Sequence, residues 1–256
     1  MHPPVEKSPA FTAISGIRHG FFGRRGGVSE GEFESLNVSR SVGDDLANVT
    51  ENVHRAVMGL KAGPLPIALV KQVHGADVLT VTAEMDLTQR PEADAMVTSA
   101  PGIALGILTA DCAPVLLADE TAGVIGAAHA GWRSAVNGIL ANTVEAMTAL
   151  GAAPERIEVA IGPTISADNY EVGDDFAAMI RDQFPNAADH LVTNGKARPH
   201  FDVAGFLVAQ TQSLGLKSVS TVGSCTYANP DLYFSHRYAT HNDARAGRQI
   251  ALVARG

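Results

Sequence analysis

The stretch IALGILTADCAPVLLADETAGVIGAAHAGWR, residues 103–133, decides the fold. It contains three apolar runs in succession: Ile103 to Thr109, Val115 to Ala118 and Val124 to His129. Continuous apolar runs of this length are expected of strands buried on both faces. No helical pattern separates them, which excludes a strict βαβ alternation. An α+β fold is expected, with layered mixed β-sheets covered by helices.

Working outward, further strands are predicted at Ile67 to Val73, Val78 to Thr82, Ala95 to Thr98, Ile157 to Ile161, Tyr233 to Arg237 and Ile250 to Val253. A helix is predicted from about Ser134 to Leu150, where Val136, Ile139, Leu140, Thr143, Val144, Met147 and Leu150 share one face, with Gly151 and Pro154 ending it. A second begins near Asp44, with Val49, Val53, Val57 and Leu60 inward and Gly63-Pro64 beyond it. Two more run from Gly173 to Phe184, stopped by Pro185, and from Asp202 to Leu214, with Asp202 as N-cap and Gly215 as C-cap. Pro185 to Pro199, containing Asn186, Asn194 and Gly195, reads as a long surface loop, and residues 1–10 as a flexible start. Neither a repeat nor a linker-like composition break is found, so residues 1–256 are expected to form one domain.

The 256 residues are 46% hydrophobic, enough to bury a substantial core. A net charge of −8 argues against a backbone-driven nucleic-acid binder, which needs surplus Lys and Arg. Two distant cysteines, Cys112 and Cys225, speak against a disulfide framework and for a reducing compartment. With no signal-peptide pattern and no run long enough to span a bilayer, the expected location is cytoplasmic, without nucleic-acid or membrane partners. A monomer or weak homo-oligomer acting on a small molecule is expected.

Three soft donors lie at or just beyond strand ends: His74 before Gly75, Cys112 before Pro114, and His129 before Gly131. Two imidazoles and a thiolate fill three tetrahedral zinc positions and leave one open, the coordination of a catalytic site. Spacing alone is a weak signal, since no C-x-x-C or H-E-x-x-H pair is present.

The blocks Lys71-Gln72-Val73-His74-Gly75, Thr109-Ala110-Asp111-Cys112-Ala113-Pro114-Val115 and His129-Ala130-Gly131-Trp132-Arg133 resemble the signature segments of one family. It is known as the multicopper polyphenol oxidase or laccase-domain family, the peptidoglycan editing factor, or the purine nucleoside phosphorylase family. Arg25-Gly26-Gly27-Val28-Ser29, Ser35-Leu36-Asn37-Val38, Ile161-Gly162-Pro163, Tyr170-Glu171-Val172-Gly173, Cys225-Thr226, Phe234-Ser235-His236-Arg237 and Gly247-Arg248-Gln249 follow in the family's order. Departures are Thr164 where Cys is frequent, Ser134 where Gly is frequent and His236 where Tyr is frequent. They bear on substrate detail rather than on the metal site.

The resemblance implies one zinc ion on His74, Cys112 and His129. It also implies phosphorolysis of adenosine, inosine or methylthioadenosine, and deamination of adenosine. Copper ranks second as the metal: a multicopper cluster needs His-x-His pairs, and none of the nine His forms one. Asp111, adjacent to Cys112, is a candidate acid for deamination, with a buried carboxylate bonded to backbone as the competing reading. In the absence of a P-loop, Arg25, Arg133 and Arg237 are candidates for phosphate. Gln72 and Asn37 are candidates for orienting a ligand or a base edge, and Trp132 for stacking on a purine. The competing class is a cysteine hydrolase or amidase acting on cell-wall precursors, with Cys112 as nucleophile and His129 or His74 as base.

Overall fold

The structure, a computed structural model, describes residues 2–193 and 195–256. Asn194 and Met1, included in the expected loop and flexible start, lie outside the described residues. Two mixed sheets stack face to face with helices outside them, the expected α+β layering in a single domain. One sheet orders its five strands Val5–Glu6, Ile17–Phe22, Gln249–Arg255, Ala104–Thr109 and Ile67–Ala68, with only the last pair parallel. The other orders six: Ser218–Thr221, Glu158–Ile161, Ala113–Asp119, Val124–Ala130, Ala95–Thr98 and Val78–Thr80. Its two outermost pairs are parallel and its central pairs antiparallel.

Alternation along each strand divides the core into layers. Phe21, Leu105, Ile107, Ala251 and Val253 of the first sheet meet Met96, Leu116, Ile125 and Ala127 of the second. The outer face of the second sheet, including Val97, Val115, Leu117 and Val124, packs on Ile139, Leu140, Val144 and Met147 and on Phe206 and Leu207. Phe22, Ile250, Leu252 and Ala254, on the outer face of the first, cover Ala56, Val57 and Leu60 with Leu36 and Val38. Every central strand is covered on both sides, which is why its sequence is a continuous apolar run.

The chain crosses between the sheets at residues 110–112, from the strand Ala104–Thr109 in one to Ala113–Asp119 in the other. It crosses again between Ile67–Ala68 and Val78–Thr80. Of the four passages between the sheets, these two carry Cys112 and His74.

The helices Leu46–Gly59, Asp174–Gln183 and Val203–Ser213 match expectation, the first and last capped by Asp45 and Asp202. The expected helix from Ser134 to Leu150 is instead two, Trp132–Val136 and Ile139–Ala149, because Gly138 takes a φ of +87° and interrupts the ladder. Tyr233 to Arg237 is not a strand. Ser235 accepts from the Tyr238 N–H and caps a helix, His236–His241, so Arg237 stands on a helix. The expected loop at Pro185 to Pro199 begins with a helix, Pro185–Ala188, and Leu191–Val192 pairs with His200–Phe201. The expected flexible start is tied down: Val5–Glu6 pairs with Phe21 and Phe22, and the Ser8 N–H donates to buried His19 Nε2 at 2.8 Å. No helix among the described residues is long and apolar enough to cross a membrane.

Candidate metal and substrate site

The two crossings and the end of one strand bring His74, Cys112 and His129 together. One ligand atom from each lies within 4.8 Å of the other two. Cys112 Sγ is 4.0 Å from His74 Nε2, and the two imidazoles meet edge to face with centroids 4.7 Å apart. Tetrahedral zinc with bonds of about 2.0–2.3 Å spaces its ligand atoms about 3.6 Å apart, so a small contraction suffices. Among the described residues this is the one group of three or more His, Cys, Asp or Glu donors close enough to share an ion.

Cys112 sits beside Asp111, whose φ of +83° turns the chain sharply into the next strand. His129 lies within the strand Val124–Ala130, opposite Pro114, rather than beyond its end. His74 also has a left-handed backbone, φ +59°. That conformation aims the N–H groups of Val73, His74 and Gly75 at one carboxylate, Asp94, at 3.1, 3.0 and 2.7 Å. Fully buried Asp94 also lies 2.7 Å from His129 Nδ1, which leaves His129 Nε2 free for a metal. Burial opposes ionisation of Asp94, but the hydrogen bonds from His129 and the Gly75 N–H outweigh it and hold the carboxyl below its usual range.

The Cys112 thiol is also held low, to about 6. Burial pushes it up, but the His129 charge and hydrogen bonds from both imidazoles prevail. His129 is correspondingly raised against its own burial by the Cys112 charge and by Asp94. A thiolate at neutral pH is the state metal binding requires of Cys112, whereas the His129 ring, oriented by Asp94, gives up its proton when an ion binds. The donor set therefore fits one metal ion.

The triad stands between two cavities that share His74, Ala110, Cys112 and His236 in their walls. The larger, about 520 Å³, is lined by Arg40, Arg90 and Arg248 as well as Gln72 and Thr109. The smaller, about 220 Å³, is walled by Trp132, Tyr170, Ile165, Val203 and Arg237.

The other expected site residues divide between these cavities and the scaffold. Gln72 lines the larger cavity, but its amide is committed to both the N–H and C=O of Leu108, extending the strand pairing. Trp132 lines the smaller cavity, packed edge to face on Phe176 at 4.8 Å. Arg237 reaches it too, stacked 5.3 Å from the Tyr170 ring centroid and donating to the Glu171 carbonyl.

Asp111 does not have the geometry of a free acid. Its two carboxylate oxygens accept from the Thr226 hydroxyl at 2.7 Å and the Arg237 N–H at 2.6 Å, so it anchors the backbone. Arg25 is elsewhere, donating to the Asp231 carbonyl in a separate pocket. Arg133 is exposed, stacked over Trp132 and absent from both cavity walls. Asn37 is fully buried and contacts protein on both ends of its amide.

Asp94, Arg40, Arg90 and Arg248 were not singled out from sequence for the site. A signal for Asp94 existed, a carboxylate placed immediately before the wholly buried strand Ala95–Thr98. The three arginines come from separate segments; Arg248 stands in the Gly247-Arg248-Gln249 block but was given no site role, and Arg40 and Arg90 carry no local pattern.

Among curated relatives, a purine nucleoside phosphorylase of Streptomyces coelicolor is 40% identical over 240 residues, covering 94% of this chain and 96% of its own. A protein of the same name from Deinococcus radiodurans is 41% identical over 238 residues, covering 93% and 88%. Among solved structures, Neisseria meningitidis protein NMB0706 aligns over 100% of this chain and 99% of its own, with a TM-score of 0.84 and 33% identity. YlmD from Geobacillus stearothermophilus aligns over 97% and 94%, with a TM-score of 0.84 and 30% identity. The family described as multi-copper polyphenol oxidoreductase laccase matches residues 18–256, and with the triad and the layered fold in place, the chain belongs to that family.

Proposed function

We propose that the chain is a zinc-dependent purine nucleoside phosphorylase that cleaves adenosine, inosine or methylthioadenosine with phosphate. The observation that carries this reading is the placement of two of the three donors, His74 and Cys112, in a wall shared by two chemically different cavities, with His129 facing the larger. The names of the relatives point the same way. The Trp132 and Tyr170 rings offer apolar faces of the kind on which a purine stacks, and Ile165 and Val203 exclude water beside them. A purine held there directs its ribose toward His74 and Cys112.

In the reaction, a phosphate oxygen forms a bond to C1′ as the C1′–N9 bond breaks. The bond's electron pair leaves with the purine, and the proton carried by hydrogen phosphate ends on the base. Bound at the triad, zinc supplies a Lewis acid that draws electron density from an oxygen in contact with it. Asp94 keeps His129 and the 73–75 turn in the geometry this needs.

The polyphenol oxidase reading lacks a donor cluster, since no second group of donors accompanies the triad among the described residues. The site has no feature that favours the peptidoglycan-editing reading.

One observation favours a second reading. The lowered Cys112 thiol beside His129 is also the arrangement of a cysteine nucleophile and its base. Metal content separates the two.

The test incubates zinc-loaded protein with each nucleoside, with and without phosphate, beside Cys112→Ala. Free base formed only with phosphate, and lost in Cys112→Ala, supports phosphorolysis. Inosine and ammonia from adenosine would establish deamination as a further activity. Chelator-resistant turnover by metal-free protein would move the assignment to the cysteine hydrolase. No product from any nucleoside would refute the proposal.

A further inference from the structure

We infer that the larger cavity is an oxyanion subsite in which Arg40, Arg90 and Arg248 receive inorganic phosphate or a phosphate ester beside the triad. The inference deepens the phosphorolysis reading and rests on it for the identity of the anion. It replaces the three arginines proposed from sequence, Arg25, Arg133 and Arg237, all of which lie outside this cavity, as the source of phosphate recognition.

The first support is unbalanced charge. Three guanidinium-bearing side chains line one cavity of about 520 Å³ whose wall contains no Asp or Glu. Lys71, also in the wall, is already paired with Glu92 at 2.8 Å. Among the described residues, the Arg40 and Arg90 guanidiniums have no hydrogen-bond or ion-pair partner within the protein. Arg90 is half-buried and close enough to Arg40 to be repelled by it. Two like charges held on one concave surface favour an anion between them, because a guanidinium fork matches the oxygens of a phosphate.

The second support is an unsatisfied hydroxyl. Thr109 is 2% exposed, its Oγ1 has no hydrogen-bond partner, and it lines the same cavity. A buried hydroxyl left unpaired costs on the order of 1–3 kcal/mol, so a small shift of the wall that opened it to a ligand oxygen would be favoured.

The third is positioning. Asn37 Oδ1 accepts from the N–H groups of Ser39 and Arg248 at 3.1 and 2.9 Å. One amide thereby ties the loop bearing Arg40 to Arg248, the residue that leads into the strand Gln249–Arg255. Arg248 in turn donates from its guanidinium to the carbonyls of Ala246 and Gly247, which fixes its direction. Asn37, a sequence candidate for orienting a ligand or base edge with turn stabilisation as the competing reading, acts here as a positioning residue for these arginines.

The experiment titrates the zinc-loaded full chain calorimetrically with inorganic phosphate and, separately, with adenosine 5′-monophosphate. It compares Arg40→Gln, Arg90→Gln and a distant control, Arg25→Gln. Since neither Arg40 nor Arg90 bonds the protein through its guanidinium, both variants should fold, and circular dichroism checks this. Anion affinity is expected to fall about tenfold or more in Arg40→Gln and Arg90→Gln and to hold in Arg25→Gln. The phosphate KM should rise in parallel, with the nucleoside KM unchanged. Binding of the ester but not of free phosphate would make a phosphorylated substrate the source of the anion. If the variants lose anion binding while no nucleoside is cleaved, the subsite stands and the phosphorolysis reading fails. If cleavage proceeds with an unchanged phosphate KM in both variants, the subsite is overturned and the reading stands. Absence of binding by either anion to the wild type also overturns it.

Discussion

His129 Nδ1 lies 2.7 Å from Asp94 Oδ1, and the same oxygen accepts the His74 N–H at 3.0 Å. One buried carboxylate thus orients the ring of one candidate ligand and the backbone of another, while Cys112 arrives independently on the crossing between sheets.

Asp94→Asn tests that arrangement with little change in volume. One amide oxygen cannot replace two carboxylate oxygens, and the amide N–H₂ opposes a donor wherever it points. Zinc affinity should fall by about 10–100-fold, as expected when the group behind a metal-bound His is removed. A competition titration against a chelator measures it, and wild-type affinity in the variant would remove Asp94 from the site.

Gly131 leaves room for the triad by lacking a side chain. A Cβ there would lie 2.9 Å from Cys112 Sγ and 3.2 Å from His74 Cδ2, although its φ of −72° suits alanine. Gly131→Ala should therefore keep its circular dichroism spectrum and lose most bound metal. Stoichiometric zinc in the purified variant would contradict this.

Asp111→Asn separates anchoring from acid catalysis. The amide can accept from only one of Thr226 and Arg237, so stability should fall by about 1–3 kcal/mol. Denaturant unfolding reads the loss. Unchanged stability together with abolished adenosine deamination would restore Asp111 as an acid.

His19 should make the fold acid-sensitive. Buried, and accepting the Ser8 N–H at Nε2, it is pushed down from 6.5 to about 4, first by burial and then by the nearby Lys7 charge. Between these values the unfolded chain takes up a proton that the folded one refuses, so stability falls as pH drops from 6.5 to 4. The full effect is about 3 kcal/mol. His19→Gln keeps an acceptor for Ser8 but cannot titrate. Its unfolding midpoint should lose less than the wild type over this range, and parallel pH profiles would reject the assignment.

Legibility from sequence followed the range of the forces involved. The helix Leu46–Gly59 was readable because burial of one face imposes a period on neighbouring residues, and the strand Ala95–Thr98 because burial of both faces leaves an unbroken buried run. The strand Ile17–Phe22 was missed because Arg18 and His19 interrupt its apolar run, and His19 is buried with its ring against Phe11 and its Nε2 bonded to the Ser8 N–H. Tyr233 to Arg237 looked like a strand because Tyr233 and Phe234 are apolar and buried, yet the Phe234 backbone bonds to the Gln249 side chain instead of a neighbouring strand.

The sequence by itself determined the three soft donors, the signature blocks around them and the unbroken apolar strands that require layers on both faces. Those properties are local, written in residue type and short spacing. Only the tertiary structure decided that Asp94 serves the triad, that Asp111 is an anchor and that Arg40, Arg90 and Arg248 face one cavity. Such groups meet across distances in the chain that no period spans. Sheet stacking and two crossings bring them together, and whether a charge is spent on the scaffold or left free for a ligand depends on which partners that stacking supplies.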